Sequence, residues 1–480
     1  MNISDLLADL RVYDDYTDAP VTFITADSRA VKPGCVFVCV KGVHFDGHTA
    51  AAKAQADGAV LIVAERDLGL KNQIIVPDTR AALTKLCDNY YGNPTKKLRL
   101  IGVTGTNGKT TTTFLIRSIL EKLGRRVGLI GTVKNVVGGV ETDASLTTPE
   151  SWDLFRLFAE MVEAGDEFCV MEVSSQALAQ QRVYGLRFEA AVFSNLTQDH
   201  LDYHGTFEAY AAAKAKLFAQ ADLCVMNLDD AHAMRMLADS DGRPVTYGVT
   251  SGNVDYRAVD ITYRPTGVSY TLETPAGAEN AQVGIPGEFT VYNSMAAAVT
   301  LIEMGFDKAQ VLYALSRAPG VKGRIEVVPT DTPYTVIIDY AHSPDGLSNI
   351  IRSIRKIAKK RIITVFGCGG DRDRTKRPLM GAVVGELADV AVVTSDNPRT
   401  EDPDAIVRDI LPGVRDKQAE VHVEVDRTKA IALAMRLAEP GDIIILAGKG
   451  HETYQIVGTT KNHYDEREIV RDILSGGRAT

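Results

Sequence analysis

The run Ile101-Gly-Val-Thr-Gly-Thr-Asn-Gly-Lys-Thr-Thr111 carries the residue types that a polyphosphate needs. Gly105 and Gly108 let backbone N–H groups curl around phosphate oxygens, and a helix starting directly afterwards turns its positive end toward them. Lys109 reaches the outer phosphates, and the Thr110 hydroxyl is of the kind that ligates Mg²⁺. The candidate nucleotide loop is therefore Gly105, Thr106, Asn107, Gly108, Lys109, Thr110 and Thr111. It departs from the strict Walker pattern, which asks for glycine where Val103 stands. An ordinary glycine turn explains less, because strand, Gly-Lys-Thr and helix all agree on phosphate. The loop leaves the phosphoryl acceptor open.

Three more stretches carry candidate chemistry. Met171-Glu172-Val173-Ser174-Ser175 closes an apolar run, where α/β sheets place ligand-contacting residues. Glu172 reads equally as a Mg²⁺ ligand or as a solvated strand-end carboxylate. The run Asn195 to Gly205 includes His200 and His204 and is too polar for a core, yet nothing in it demands zinc. Lys214 and Lys216 follow on an alanine-rich helix, Phe207 to Phe218, where spacing alone makes them a solvated face. Further on, Ser395-Asp396-Asn397-Pro398-Arg399 follows the apolar strand Val390 to Thr394. An Asx-Pro turn accounts for the spacing. Arg399 adds a two-point grip on a carboxylate at a strand C-terminus. Gly367-Cys-Gly-Gly370 lacks the full GxGxxG spacing of a dinucleotide fingerprint.

The elements that must hold these residues read as alternating strands and helices. Tyr91-Gly-Asn-Pro94 breaks the chain, so residues 1–97 form a small α/β domain. Residues 98–326 read as a P-loop ATPase-like, mainly parallel sheet, with an antiparallel patch over 250–285. Residues 327–480 read as a Rossmann-like doubly wound domain. The composition, 45% hydrophobic and 24% charged, is that of globular protein. A net charge of −9 without a basic block argues against nucleic acid. The longest apolar runs are strand-sized, and Met1 leads into no signal peptide. Six scattered cysteines without CxxC fit free thiols in a reducing compartment, so the expectation is a cytoplasmic protein without membrane partner. The sequence does not give the oligomeric state, and a monomer is the expectation.

Taken together, these segments resemble the Mur ligase family of peptidoglycan synthesis. Gly105 to Thr111 resembles its ATP loop, a loop that folylpolyglutamate synthetase shares. Asn195 to Gly205 with Tyr210-Ala-Ala-Ala-Lys214 resembles its second signature, and Gly323 to Glu326 with Asp339-Tyr-Ala-His342 its later ones. Asp27-Ser28-Arg29, Pro33-Gly34, Asp46-Gly47, Gly367 to Arg372, Asp396 to Arg399 and Gly448 to Glu452 are similar to the branch that adds the third peptide residue.

The resemblance implies an ATP- and Mg²⁺-dependent, ADP-forming ligase working through an acyl phosphate. It puts Asn293, Arg324, Asp339 and His342 on ATP, and Ser28, Thr147, Thr148, Ser174, Gln180 and Arg182 on a UDP-muramyl dipeptide. The metal positions are Thr110, Glu172, His200 and Lys214, the last as a carbamate, and Lys109, Lys214 and His200 are the catalytic set. Arg372, Asp396, Asn397, Pro398, Arg399, Gly448 and Glu452 would hold the incoming amino acid. An arginine at Arg399 implies meso-diaminopimelate, whose extra carboxylate L-lysine lacks. The competing readings are the same chemistry with lysine or another amino acid, and an ATP-binding switch protein.

Overall fold

Runs without polar alternation, such as Cys35–Val38, Leu61–Ala64 and Ile443–Ala447, are buried at every residue, as parallel strands covered on both faces must be. A computed structural model describes residues 1–476 except 9, 11, 13, 43 and 44. The chain is α/β and divides into two units, Met1–Arg257 with Met295–Val311, and Ala258–Ser294 with Leu312–Thr480.

The first unit holds two sheets. Phe23–Thr25, Cys35–Val38, Leu61–Ala64 and Gln73–Ile75 pair in parallel and in chain order. The helix Thr79–Tyr90 follows, capped by Asp78, whose carboxylate accepts from the Arg80 and Ala81 N–H groups. In the second sheet Val127–Ile130, Phe168–Glu172, Arg99–Thr104, Phe188–Phe193, Ala221–Asn227 and Arg243–Gly248 run parallel in that order. An antiparallel hairpin, Lys134–Val137 and Val140–Asp143, extends its Val127 edge. The break near Pro94 is one turn of 3-10 helix. Apolar contact nevertheless crosses it: Ile24, Val36 and Leu61 share one core with Phe155, Phe158 and Met171. Residues 1–97 therefore share one compact unit with residues 98–257, while 258–294 and 312–326 of the second stretch belong to the other.

The second unit carries the sheet Glu326–Val328, Thr335–Asp339, Ile443–Ala447, Ile362–Phe366, Val390–Val393, Glu420–Val423, parallel except for the first strand. Alternate residues of one strand feed opposite faces. Ile337 packs with Ile351 and Ile410 on one side, and Val336 with Ile431 and Leu446 on the other. The antiparallel patch read over 250–285 contains the hairpin Gly267–Thr274 and Gly277–Val283. All six cysteines are free and buried, and burial pushes Cys39 and Cys368 up to about 12. None is poised as a nucleophile.

Candidate active site

Arg99–Thr104 lies between Phe168–Glu172 and Phe188–Phe193, and polar residues follow the C-terminal ends of all three strands. Gly105 leaves its strand at φ +146°, where an added Cβ would lie 1.9 Å from Ser194 Oγ and 3.0 Å from Asn195 O. No side chain fits there. Hydrogen bonds latch the loop to its neighbour. Ser194 Oγ and Asn195 Nδ2 donate to Asn107 O at 2.6 and 3.1 Å. Asn107 N–H donates to Asn195 Oδ1 at 2.9 Å, and Thr106 N–H to Asn195 O at 2.8 Å. Helix Lys109–Lys122 begins at Gly108, so the N–H groups of its first turn open onto the loop. Lys109 Nζ folds onto Gly105 O and Thr106 O at 2.9 and 2.8 Å, carbonyls it can exchange for phosphate oxygens.

Lys214 corrects the reading from spacing alone. Lys216 is exposed, but Lys214 is buried, and its Nζ donates to Gly105 O at 2.9 Å. Helix Phe207–Ala215 turns Tyr210, Ala211 and Lys214 inward together, at i, i+1 and i+4. Burial first, and then the Lys109 charge, holds the Lys214 amine well below the usual lysine range.

Glu172 is also wholly buried, which removes the solvated strand-end reading. Its carboxylate accepts from Thr110 Oγ1 at 3.0 Å, Thr132 N–H at 2.8 Å and Thr132 Oγ1 at 3.1 Å. Thr110 and Glu172 are thus brought together as hard oxygen donors. His200 stands on the following loop, half-exposed at φ +53°, with Nε2 3.6 Å from Asp199 Oδ2. Among the described residues, no three His, Cys, Asp or Glu side chains gather as a cage. The donor set fits Mg²⁺, which takes one or two carboxylates, keeps waters and shares substrate phosphates.

Five of the six residues expected on the UDP-dipeptide form one network beside Glu172. Thr148 Oγ1 donates to Glu172 O at 2.8 Å and accepts from Ser174 N–H at 3.0 Å. Arg182 donates to Thr148 O at 2.7 Å and twice to Gln180 Oε1, at 3.1 and 2.7 Å. Thr147 and Thr132 hydroxyls meet at 3.0 Å. Ser28 lies in a different wall, lining a cavity of about 810 Å³ with Phe45, Trp152 and Glu150. Glu150 also pairs with Arg182 at 2.7 Å, joining the cavity to the network.

In the second unit, Arg399 sits at φ +52° and donates from Nη1 to Gly370 O at 2.8 Å. An added Cβ on Gly370 would lie 1.9 Å from Pro398 O, so these glycines serve close packing of two loops. A Cβ on Gly369 would lie 2.9 Å from Arg399 Nη1 and 3.8 Å from Arg372 Cγ, which places both arginines at that edge. Asp396 is buried, with no hydrogen bond to Oδ2 among the described residues, and a Cβ on Gly448 would lie 2.7 Å from that oxygen. Asn397 Nδ2 donates to Glu452 Oε2 at 2.9 Å. Burial raises the Glu452 carboxyl. Asp339 accepts from Ile325 and Ala341 N–H groups, both at 2.8 Å, and burial raises it too. The Arg324 guanidinium lies 4.9 Å over the Tyr340 ring, and His342 Nδ1 is 2.8 Å from Tyr340 O. Asn293 is buried on helix Glu288–Glu303.

Three family profiles match the chain in order. They are the Mur ligase family catalytic domain at residues 20–91, the Mur ligase middle domain at 103–301, and the Mur ligase glutamate ligase domain at 323–450. The chain belongs to the Mur ligase family. The UDP-N-acetylmuramoyl-L-alanyl-D-glutamate–2,6-diaminopimelate ligase of Clostridium perfringens is 44% identical over 477 residues, 98% of each chain. Its namesake in Geobacillus thermodenitrificans is 46% identical over 461 residues, 94% of each. A solved structure of that same name superposes with a TM-score of 0.72 at 33% identity, over 96% of each chain.

Within this Mur ligase, some site residues escaped the sequence reading. Thr132 carries no motif, although its place after Ile130-Gly131 at a strand end was a signal. Asn195 opens the polar run that ends at Gly205, yet its grip on Asn107 needs the two strands side by side. Glu150 joins two walls through Arg182, which no spacing announces.

Proposed function

We propose that this Mur ligase joins meso-diaminopimelate to UDP-N-acetylmuramoyl-L-alanyl-D-glutamate, with ATP converted to ADP and phosphate, in making a peptidoglycan precursor. The observation that carries this reading is the Asp396–Arg399 turn with Glu452 behind it. An arginine for a carboxylate and buried carboxylates for an ammonium suit an amino acid with one extra group of each kind. Lysine would leave the guanidinium without its partner. The names of the relatives agree with this assignment. Family profile limits at 91, 103, 301 and 323 support division into residues 1–97 for the UDP group, 98–326 for ATP and 327–480 for the amino acid.

In the first step the D-glutamate carboxylate attacks the γ-phosphorus, the bond to ADP breaks, and an acyl phosphate forms. Lys109 and the N–H groups opening helix Lys109–Lys122 hold the phosphate oxygens. Thr147, Thr148, Ser174, Gln180 and Arg182 orient the dipeptide from their shared network, and Ser28 receives the UDP group. Thr110, Glu172, His200 and the carbamate of Lys214 would hold Mg²⁺, which when bound neutralises charge on the transferring group. The depressed amine supports the carbamate, because only neutral lysine adds to CO₂, losing one proton as it does. In the second step the neutral diaminopimelate amine attacks the acyl carbon, an amide forms, and phosphate leaves. Arg372 and Arg399 hold its distal carboxylate, and Glu452 and Asp396 its distal ammonium.

ADP release tests the reading, with UDP-muramyl-alanyl-glutamate and ATP present and either meso-diaminopimelate or L-lysine added. Release with diaminopimelate alone is expected. Release with lysine alone overturns the amino-acid assignment, and release with neither favours another acceptor or an ATP switch.

A further inference from the structure

Behind the Asp396–Arg399 turn lies a lysine that the reaction as described leaves without a role. Lys449 follows the strand Ile443–Ala447 by two residues, and its side chain is wholly buried. Nζ donates to Asn397 Oδ1 at 3.1 Å and to Tyr454 O at 2.9 Å, and lies 3.6 Å from Glu452 Oε2. Asn397 Oδ1 also accepts from the Ile456 N–H at 2.9 Å. An ammonium and a backbone N–H are donors only. The amide therefore has one allowed orientation, with oxygen toward Lys449 and Ile456 and nitrogen toward Glu452. Asn397 Nδ2 then donates to Glu452 Oε2 at 2.9 Å.

We propose that Lys449 is the positioning residue of the amino-acid pocket: through Asn397 it aims Glu452, and by its charge it keeps that carboxylate ionised for the distal ammonium of the ligand. Only the identity of that ligand rests on the diaminopimelate reading. The groups facing Glu452 are Asp396 and Arg399 on the turn, Lys449 on its own loop, and Tyr340 after the strand Thr335–Asp339. Burial and Asp396 push the Glu452 carboxyl up, while the Asn397 amide, Lys449 and Arg399 pull it down. Removing Lys449 deletes one of the two cations and loosens the amide that donates to the carboxylate. The carboxyl must then titrate at higher pH.

The test uses the full chain with Lys449→Met and, as its partner, Lys449→Gln, which keeps a donor toward Asn397 but no charge. Glu452 titration is followed by carboxyl ¹³C NMR without substrate, assigned by difference against Glu452→Gln. Steady-state KM values are measured for the amino acid and for ATP. Lys449→Met is expected to move the Glu452 titration upward and to raise KM for diaminopimelate roughly ten-fold or more. KM for ATP stays within about two-fold, and the acid limb of kcat/KM for the amino acid moves up with the titration. Lys449→Gln is expected to move the titration while losing less in KM, and it carries the test if the methionine variant does not fold. An unmoved Glu452 titration overturns the proposal, as does an equal loss toward both substrates. A moved titration in an enzyme that turns over lysine, not diaminopimelate, leaves Lys449 standing and removes the substrate assignment.

Discussion

Replacing Lys214 by methionine is expected to stabilise the fold while abolishing activity. A lysine whose amine titrates well below its unfolded value makes the folded chain bury a charge or give up a proton. Each unit of depression costs about 1.36 kcal/mol. Against that stands one hydrogen bond, Nζ to Gly105 O at 2.9 Å, worth about 0.5–1.5 kcal/mol. Its loss orphans nothing, because Lys109 Nζ donates to the same carbonyl at 2.9 Å. Methionine has a similar length and can keep the packing that now sets Nζ 4.7 Å from the centre of the Tyr210 ring. Once the depression passes about one unit, the electrostatic cost exceeds the lost bond. The sign with pH follows. The unfolded lysine binds more protons than the folded one, so the stability of the parent rises with pH until the unfolded amine also deprotonates near about 10.4. The advantage of the methionine variant is thus full below the folded pKa and fades as pH climbs toward that value. Urea melts in CO₂-free buffer from pH 6 to 10 measure this difference, with ADP release as the functional control. Adding bicarbonate should raise activity in the parent alone. A variant less stable than the parent at pH 7, or a difference that does not shrink with pH, refutes the reasoning.

Gly105→Ala puts a methyl 1.9 Å from Ser194 Oγ at φ +146°; the strain, about 1–3 kcal/mol, should appear as a lower Tm and a KM for ATP raised about ten-fold. Arg399→Ala should cost about a hundred-fold in kcat/KM for diaminopimelate and move the diaminopimelate-to-lysine ratio toward one, read from ADP release with each amino acid. Arg427→Met leaves Glu466, wholly buried and 2.8 Å from that guanidinium, without its cation. A loss of about 3–5 kcal/mol is expected in urea unfolding, and Arg427→Met with Glu466→Leu should recover most of it.

The sequence was most readable where backbone chemistry leaves few choices. Gly105 and Gly108 could only be a turn, and the strands Thr335–Asp339 and Ile443–Ala447 stand where their apolar runs ended. Lys214 was unreadable from spacing, because the alanine-rich helix Phe207–Ala215 has no polar stripe to say which face is buried. Its depth comes from the strand Arg99–Thr104, more than a hundred residues earlier in the chain. Glu172 was ambiguous for a similar reason: three hydrogen bonds from Thr110 and Thr132 decide its burial, and Thr132 belongs to no motif. Tyr91 to Pro94 did mark a turn, yet composition could not show that Val36 and Phe155 share a core across it.

Both candidate sites keep a buried lysine behind the residues that meet ligand, and the two should respond oppositely to its removal. Lys214 has another cation, Lys109, beside it, so a neutral side chain removes a repulsion, and the anion that acts on it, Asp199, is exposed to water. Burial lowers the Lys449 amine as well, but Lys449 lies among Asp396, Glu452 and Glu466, with Arg427 as the other cation. A neutral side chain there leaves carboxylates buried with less compensation, and the fold should weaken. The sign of the stability change thus depends on the charges left behind, although both lysines are wholly or almost wholly buried. Lys214 is held in a state that favours chemistry at its own nitrogen. Lys449 is held in a state that favours the charge of its neighbours.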